Sequence, residues 1–126
     1  MITSIKEYMD FKSVNKIGHI EKTINVELDL THTDHSMGRQ GRGSDYITND
    51  EIKNVVSLAT EQIIDAMIAN TLNNGDSVLI TQKESKINVV GALSVNKSTD
   101  VINFKVITVM RVDDFINKKN TKQFFV

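Results

Sequence analysis

A short polar stretch, HTDHSMGRQGRGSDY, holds two histidines and two arginines: His32, His35, Arg39 and Arg42. Imidazole carries protons near neutral pH, and guanidinium binds phosphate oxygens with two parallel hydrogen bonds. Together these groups suit cleavage of a phosphodiester by transesterification. A base removes a 2′-hydroxyl proton, a cation stabilises the pentacoordinate phosphorane, and an acid protonates the departing 5′-oxygen. Because this chemistry needs neither a metal nor a cofactor, we expect neither.

The spacing within the polar stretch brings its basic groups onto one side. His35 and Arg39 stand four residues apart, and Arg42 follows three residues later. In a helical turn over residues 34 to 40, these side chains would share one face and converge on one phosphate. The neighbouring glycines would let main-chain amides approach the same anion, although GRQGRG matches neither a Walker loop nor a dinucleotide fingerprint.

Two other interpretations of the polar stretch stay open. In the first, its histidines and arginines are solvated groups on a flexible loop. In the second, His32 and His35 bind a divalent ion together with Asp29 or Asp34, since imidazole and carboxylate suit such an ion. The sequence offers no further ligand at a diagnostic spacing, so metal binding is the less favoured of these interpretations.

The composition limits the class of protein. With 126 residues, 40% of them hydrophobic and 25% charged, the chain is expected to form one compact domain with its own core. The absence of cysteine excludes thiolate nucleophiles and Cys-ligated metals. A net charge of -1 provides no global positive field, so any contact with RNA must be local. We see neither a signal peptide nor an apolar run of ~20 residues, and we expect a cytoplasmic protein without membrane contact.

Hydrophobic periodicity predicts the elements that must position the polar stretch. Apolar side chains at helical spacing over residues 2 to 11 predict a short amphipathic N-terminal helix, followed by a polar linker. Over residues 23 to 31 apolar and polar side chains alternate, which predicts a strand with one wet face. We therefore divide the chain into a helix and linker, residues 1 to 22, and a domain, residues 23 to 126.

The rest of the chain is expected to form one long helix and a meander of strands. A capping box over Thr48 and Glu51 starts a helix that should run to about residue 72. Gly91 predicts a bulge or a close approach of the helix. The strands are expected at residues 77 to 82, 86 to 95 and 101 to 110, the last of them central, with an edge strand at residues 124 to 126. The fold class is thus α+β, with one long helix on an antiparallel sheet.

Three further basic residues lie near the ends of these strands. Lys83 and Lys86 flank the first hairpin turn, where lysines can follow an RNA backbone or simply keep a sheet edge soluble. Arg111 ends the last strand of the meander. A charge at such a position needs solvent or a partner, and the sequence offers Asp113 or Asp114 for an ion pair.

The order of elements from residue 23 to residue 126 resembles the small phage proteins of the barnase/EndoU/colicin/RelE-like nuclease group. A strand ends in ELDLTHTDH, a turn follows with the pattern His-x3-Arg-x2-Arg-Gly, and a capped helix begins with TNDEI. Strands containing NVVGAL and VITVMR come after the helix. The most recognisable residues are His35, Arg39, Arg42, Asn88, Thr108, Arg111 and Phe115.

This resemblance implies a RelE/barnase-like fold and a metal-independent endoribonuclease that cuts RNA on the open side of the sheet. It implies that His35 is the general base or acid, that Arg39 binds phosphate within the same catalytic group, and that Arg111 is a transition-state cation from the facing strand. His32 is the nearby candidate for the second proton transfer. The residues expected to bind RNA phosphates are Arg42, Lys83, Lys86, Asn88 and Thr108.

The expected partner is RNA, either free or on the ribosome, as for a toxin-like nuclease. The alternative is a non-catalytic phage virion or host-interaction protein on a nuclease-like scaffold. The net charge of -1 favours this alternative, as does the second interval of the His-Arg-Arg pattern, which is one residue shorter than in the related phage RNases. A phage-encoded protein would act in the host cytoplasm or be packaged in the virion.

Overall fold

The computed structural model describes residues 8–17, 20–30, 47–96, 101–113 and 120–126. Over these ranges the chain forms six strands and one helix, which confirms the α+β class. The strands are β1 (Tyr8–Ile17), β2 (Ile20–Asp29), β3 (Ser77–Gln82), β4 (Ile87–Asn96), β5 (Val101–Arg111) and β6 (Lys122–Phe125), and the helix is α1 (Asn49–Ile68).

The six strands form one mixed sheet in the order β1-β2-β5-β4-β3-β6. The meander of β3, β4 and β5 is antiparallel, as predicted, and β5 lies inside the sheet. Two pairs are parallel, β2 with β5 and β3 with β6. The prediction of a wholly antiparallel sheet is therefore wrong, because both parallel pairs join strands that are far apart in the chain.

The N-terminal segment departs from the sequence prediction. Residues 8 to 11, expected at the end of a helix, belong to β1, and the expected linker continues in β1 and β2. The strand β1 pairs with β2 over its whole length, from Tyr8 opposite Asp29 to Ile17 opposite Ile20. This pairing provides the hydrogen bonds that a helix would otherwise supply. Residues 1 to 7 lie outside the described ranges.

The strand β2 confirms the alternating pattern. Ile24, Val26 and Leu28 are buried in the main core, whereas Asn25 and Glu27 between them are exposed and half-buried, respectively. One face of β2 therefore packs beneath the helix, as a period of two residues requires.

The helix α1 begins where the capping box predicted. The Thr48 side chain accepts a hydrogen bond from the Glu51 amide at 3.1 Å, and the Thr48 amide donates to Glu51 Oε1 at 3.1 Å. The helix ends at Ile68, before the predicted residue 72, because Asn70 adopts a left-handed backbone with φ of 60°. No helix within the described ranges is long and apolar enough to cross a membrane.

The core lies between α1 and one side of the sheet, called here the helix-facing side. The opposite side is called the far face. The helix contributes Ile52, Val55, Val56, Ala59, Ile63 and Ile64 to this core, and the sheet contributes residues such as Val26, Leu28, Ile80, Val89, Leu93 and Phe104. One layer of helix on one layer of sheet thus buries the apolar stripe of α1.

Gly91 marks a bulge between β4 and β5, as one of the two sequence interpretations predicted. The strand register shifts between Val90 and Gly91. A Cβ atom on Gly91 would contact the ring of Phe104 and would lie 2.6 Å from the main-chain oxygen of Lys105. The close neighbour of Gly91 is therefore strand β5 rather than the helix.

Replacing Gly91 by alanine should lower the free energy of unfolding by about 1–3 kcal/mol, the usual cost of overpacking a core. The Phe104 ring can move, but the oxygen of Lys105 belongs to the strand ladder and cannot move without disturbing it. Chemical denaturation measures the loss.

Gly75→Ala is the matched control, since a Cβ on Gly75 meets nothing within 4 Å and costs only the strain of a φ of 89°. That strain is worth about 1–2 kcal/mol. Adding Phe104→Leu to Gly91→Ala should show a favourable coupling energy in a double-mutant cycle. Additive effects of the two substitutions would contradict a ring clash.

Candidate functional site

Arg111 joins three elements at the end of the sheet where β5 ends and β4 begins. Its Nη2 donates to Glu51 Oε2 in the first turn of α1, at 2.8 Å. Its Nη1 donates to the main-chain oxygen of Ser85, in the turn between β3 and β4, at 2.9 Å. The side chain is only 21% exposed, so these contacts hold the guanidinium in a defined orientation.

Arg111 forms an ion pair with Glu51, a partner that the sequence did not suggest. Asp113 lies 3.3 Å from Lys86 Nζ, and Asp114 lies outside the described residues. Arg111 is opposite Ile87, a core residue, and residues opposite each other on adjacent strands share a face. Arg111 therefore extends from the helix-facing side, toward the start of α1.

The Glu51 carboxylate both caps the helix and pairs with Arg111. Its Oε1 accepts from the Thr48 amide and its Oε2 from Arg111. The hydrogen bond from Arg111 holds the pKa of Glu51 below its ordinary value, with help from the Thr48 amide and the Arg111 charge, against a smaller opposing effect of burial. Glu51 is thus ionised at neutral pH and stabilises the positive end of the helix dipole.

Replacing Glu51 by glutamine should lower the free energy of unfolding at pH 7 by about 1 kcal/mol, because the amide keeps the capping acceptor but loses the charge that faces Arg111. Since the folded-state pKa of Glu51 is lowered, its contribution is present above the ordinary value of 4.5 and is lost as the pH falls through the folded-state pKa. The difference between wild type and variant should therefore shrink below about pH 4.5. Denaturation curves across this range test the prediction.

Glu61→Gln, on the exposed side of the same helix, is the matched control. It should change the free energy of unfolding by less than about 0.5 kcal/mol. A pH-independent effect of Glu51→Gln would contradict the ion-pair explanation.

Asn88 lies on the far face, and the residue is 1% exposed. Its Nδ2 donates to the main-chain oxygens of Lys86 and Val112, at 3.1 Å each. Its Oδ1 accepts from Thr81 Oγ1 at 2.9 Å, and that hydroxyl in turn accepts from Gln123 Nε2 at 3.1 Å. Asn88 thus connects the turn before β4 to the chain that follows β5 by hydrogen bonds. Thr81 and Gln123 extend this hydrogen-bond network to β3 and β6.

The sheet separates residues that the sequence prediction had grouped. Asn88 is opposite Met110 and Thr108 is opposite Val90, all on the far face, whereas Arg111 lies on the helix-facing side. One phosphate cannot easily contact both sides of a sheet. The expected phosphate-binding roles of Asn88 and Thr108 stay predictions, but these residues and Arg111 do not form one surface.

The two predicted turn lysines lie at the same end of the sheet as Arg111. Lys83 is exposed, and its Nζ lies 4.9 Å from the centroid of the Phe125 ring, which is a cation–π contact. Lys86 is half exposed and forms the ion pair with Asp113. Both amines remain accessible to solvent, so contact with a phosphate stays a prediction for each.

The polar stretch with His32, His35, Arg39 and Arg42 lies outside the described residues, as does Phe115. The structure does describe Leu30, two residues before this stretch, and Ile47, directly after it. Leu30 and Ile47 are both fully buried, the first after β2 and the second just before the helix cap. The described residues that flank the stretch are therefore part of the core, and Ile47 adjoins the helix turn that binds Arg111.

A second surface, which the sequence did not single out, is an open groove of about 570 Å³ on the far face. Its lining includes Glu27, Asp29, Asn103 and Lys105. The signal for it in the sequence is the wet side of the alternating strand pattern, which by itself does not locate a groove. Within the described ranges no group of three or more histidine, aspartate or glutamate residues is arranged to hold a metal ion.

Comparisons with known proteins identify neither a family nor a relative for this chain. No protein-family model matches the chain, and neither the curated proteins nor the solved structures contain a match. The resemblance to the phage nuclease group, carried by the sequence motifs, therefore stays a prediction.

Proposed function

We propose that this protein is a metal-independent endoribonuclease that cleaves RNA through the 2′-hydroxyl. The observation that supports the proposal is the place of the polar stretch in the chain. Its two histidines and two arginines stand between Leu30 and Ile47, two buried residues that attach the stretch to the core. Functional groups on a connecting segment held by a rigid scaffold are a common arrangement in enzymes.

In the proposed reaction His35 and His32 share the two proton transfers. One imidazole takes the proton of the 2′-hydroxyl, the 2′-oxygen attacks phosphorus, and the 5′-oxygen leaves with a proton from the other, protonated imidazole. The products are a 2′,3′-cyclic phosphate and a 5′-hydroxyl. Arg39 and Arg42 bind the phosphate oxygens and stabilise the charge that develops on them.

The contacts of Arg111 favour a positioning role over direct catalysis. Its guanidinium binds Glu51, which caps the helix that directly follows the polar stretch. Arg111 then fixes the second attachment point of the stretch. Lys83 and Lys86 provide further accessible cations at this end of the sheet for the RNA backbone.

The test is incubation of the purified protein with total RNA in EDTA, followed by chemical analysis of the fragment ends. The proposal predicts cleavage in the presence of EDTA, with cyclic phosphate and 5′-hydroxyl ends. A second arm supplies ribosomes translating a defined message, since a toxin-like nuclease would cut only there. Absence of cleavage in both arms would overturn the proposal.

A non-catalytic binding protein, of the phage virion or directed at a host partner, is the second candidate. The ion pairs Arg111–Glu51 and Lys86–Asp113 compensate two of the cations expected to face RNA, and the net charge is -1. Binding of RNA, or of a phage or host protein, in a separate binding measurement without any RNA cleavage would favour this candidate.

A further inference from the structure

The strand β1 forms one edge of the sheet. Among the residues that the structure describes, it pairs with β2 and with no strand on its other side. It is ten residues long, whereas the opposite edge strand, β6, has four residues and its Phe125 oxygen accepts a hydrogen bond from Gln62 Nε2 at 3.0 Å. A long edge with unpaired amides and carbonyls is a template for a further strand.

The charges along β1 are complementary to a second copy of β1. Asp10 and Lys12 are both exposed and point to the far face. An antiparallel pair of identical strands about a twofold axis must place one residue opposite itself. Centring the pair on Asp10 or on Lys12 would put like charges together, whereas centring it on Phe11 puts each Asp10 opposite the other copy's Lys12.

The neighbour of Asp10 inside the sheet adds a second argument. Asp10 lies opposite Glu27 of β2, and like charges directly opposite each other on neighbouring strands are destabilising. A lysine on the outer side of Asp10 would relieve this repulsion. Lys12 of a second copy would stand in that place.

We propose that two copies of this chain associate through antiparallel pairing of their β1 strands, centred on Phe11, to form one continuous sheet. The pairing adds main-chain hydrogen bonds, two Asp10–Lys12 pairs on the far face, and contact between the half-buried Phe11 side chains on the helix-facing side. One strand on each side makes a small interface, so the dimer is weak and forms only at high protein concentration.

Sedimentation velocity over protein concentrations from about 1 μM to about 1 mM tests the pairing, a range that covers weak association. The wild type should shift from monomer to dimer. Lys12→Glu and Asp10→Lys should each raise the dissociation constant about tenfold or more, because each replaces two attractive pairs by two repulsive ones. Combining Asp10→Lys with Lys12→Asp should restore the wild-type value, since the pairs are then attractive again.

Lys122→Glu is the matched control, because Lys122 is an exposed lysine on β6, at the opposite edge of the sheet. It should leave the dissociation constant unchanged. Thermal unfolding of dilute samples shows whether each variant keeps its fold, as exposed substitutions normally do. A wild type that stays monomeric throughout, or a double variant that fails to recover, would overturn the proposal.

Discussion

His35→Ala is expected to slow RNA cleavage in EDTA by about 10²–10⁴-fold, the usual contribution of one proton-transfer group. Alanine can neither accept the 2′-hydroxyl proton nor donate to the 5′-oxygen. The measurement is the initial rate of cleavage of a short labelled RNA. The pH dependence of the rate should change as well. A bell-shaped profile that reports one acid and one base loses either its rising or its falling limb when one of the two groups is removed.

His19→Ala is the matched control, since His19 is the one histidine of the sequence outside the polar stretch. It should keep the wild-type rate and pH profile. His32→Ala separates the two proposed proton-transfer groups, because it should remove the limb of the pH profile that His35→Ala leaves. Full activity of His35→Ala would exclude His35 from the mechanism, even if the protein is a nuclease.

Asn88→Asp should lower the free energy of unfolding at neutral pH by about 3–5 kcal/mol, the cost of a buried charge without a partner. The two side chains have nearly the same shape, but the amide Nδ2 that donates to the oxygens of Lys86 and Val112 becomes a carboxylate oxygen that faces them. Burial and these oxygens raise the pKa of the introduced carboxyl. The loss should therefore diminish as the pH falls, when the carboxyl binds a proton and can donate again.

Two controls separate charge from packing in this experiment. Asn88→Ala leaves the same groups without partners but adds no charge, so its cost of about 1–3 kcal/mol should not depend on pH through this site. Asn54→Asp, on the exposed side of the helix, should change the free energy of unfolding by less than about 0.5 kcal/mol. Equal, pH-independent losses for Asn88→Asp and Asn88→Ala would contradict the proposed role of the amide.

The elements that the sequence predicted well are those with a local physical signal. The Thr48–Glu51 capping box needs only four consecutive residues, and the structure contains both of its hydrogen bonds. The alternation of β2 and the turns of the meander are local as well. The parallel pairs escaped prediction because hydrophobic alternation shows which face of a strand is buried and not which strand lies beside it.

The strand β1 escaped prediction for a different reason. Its helix-facing positions include Ser13 and Asn15, so the expected apolar alternation is interrupted. Asn15 is nevertheless buried, and its Nδ2 donates to the Ser13 oxygen at 3.0 Å. A polar pair that satisfies itself can lie on the buried side of a strand, and tertiary pairing then outweighs the local pattern.

In the candidate site, the sequence identified Arg111 as a charge in need of a partner but did not indicate Glu51. Asp113 is close in sequence, whereas Glu51 is brought near by the packing of α1 on the sheet. Glu51 already had a function as the capping residue, and nothing in the sequence indicated that its second oxygen was directed at Arg111. Long-range ion pairs of this kind depend on tertiary structure.

The parallel contact between β2 and β5 also determines how the protein can fold. The β1–β2 hairpin and the β3–β4–β5 meander each consist of neighbours in the chain and can form early. They become one sheet only when Asn25 comes to lie opposite Val101. This pairing must bring together two residues that are separated in the chain by the helix and by strands β3 and β4. Non-local pairing of this kind slows folding. Before this pairing forms, the edge of β5 that β2 later covers is exposed. Aggregation through this edge should therefore compete with folding when the protein is refolded.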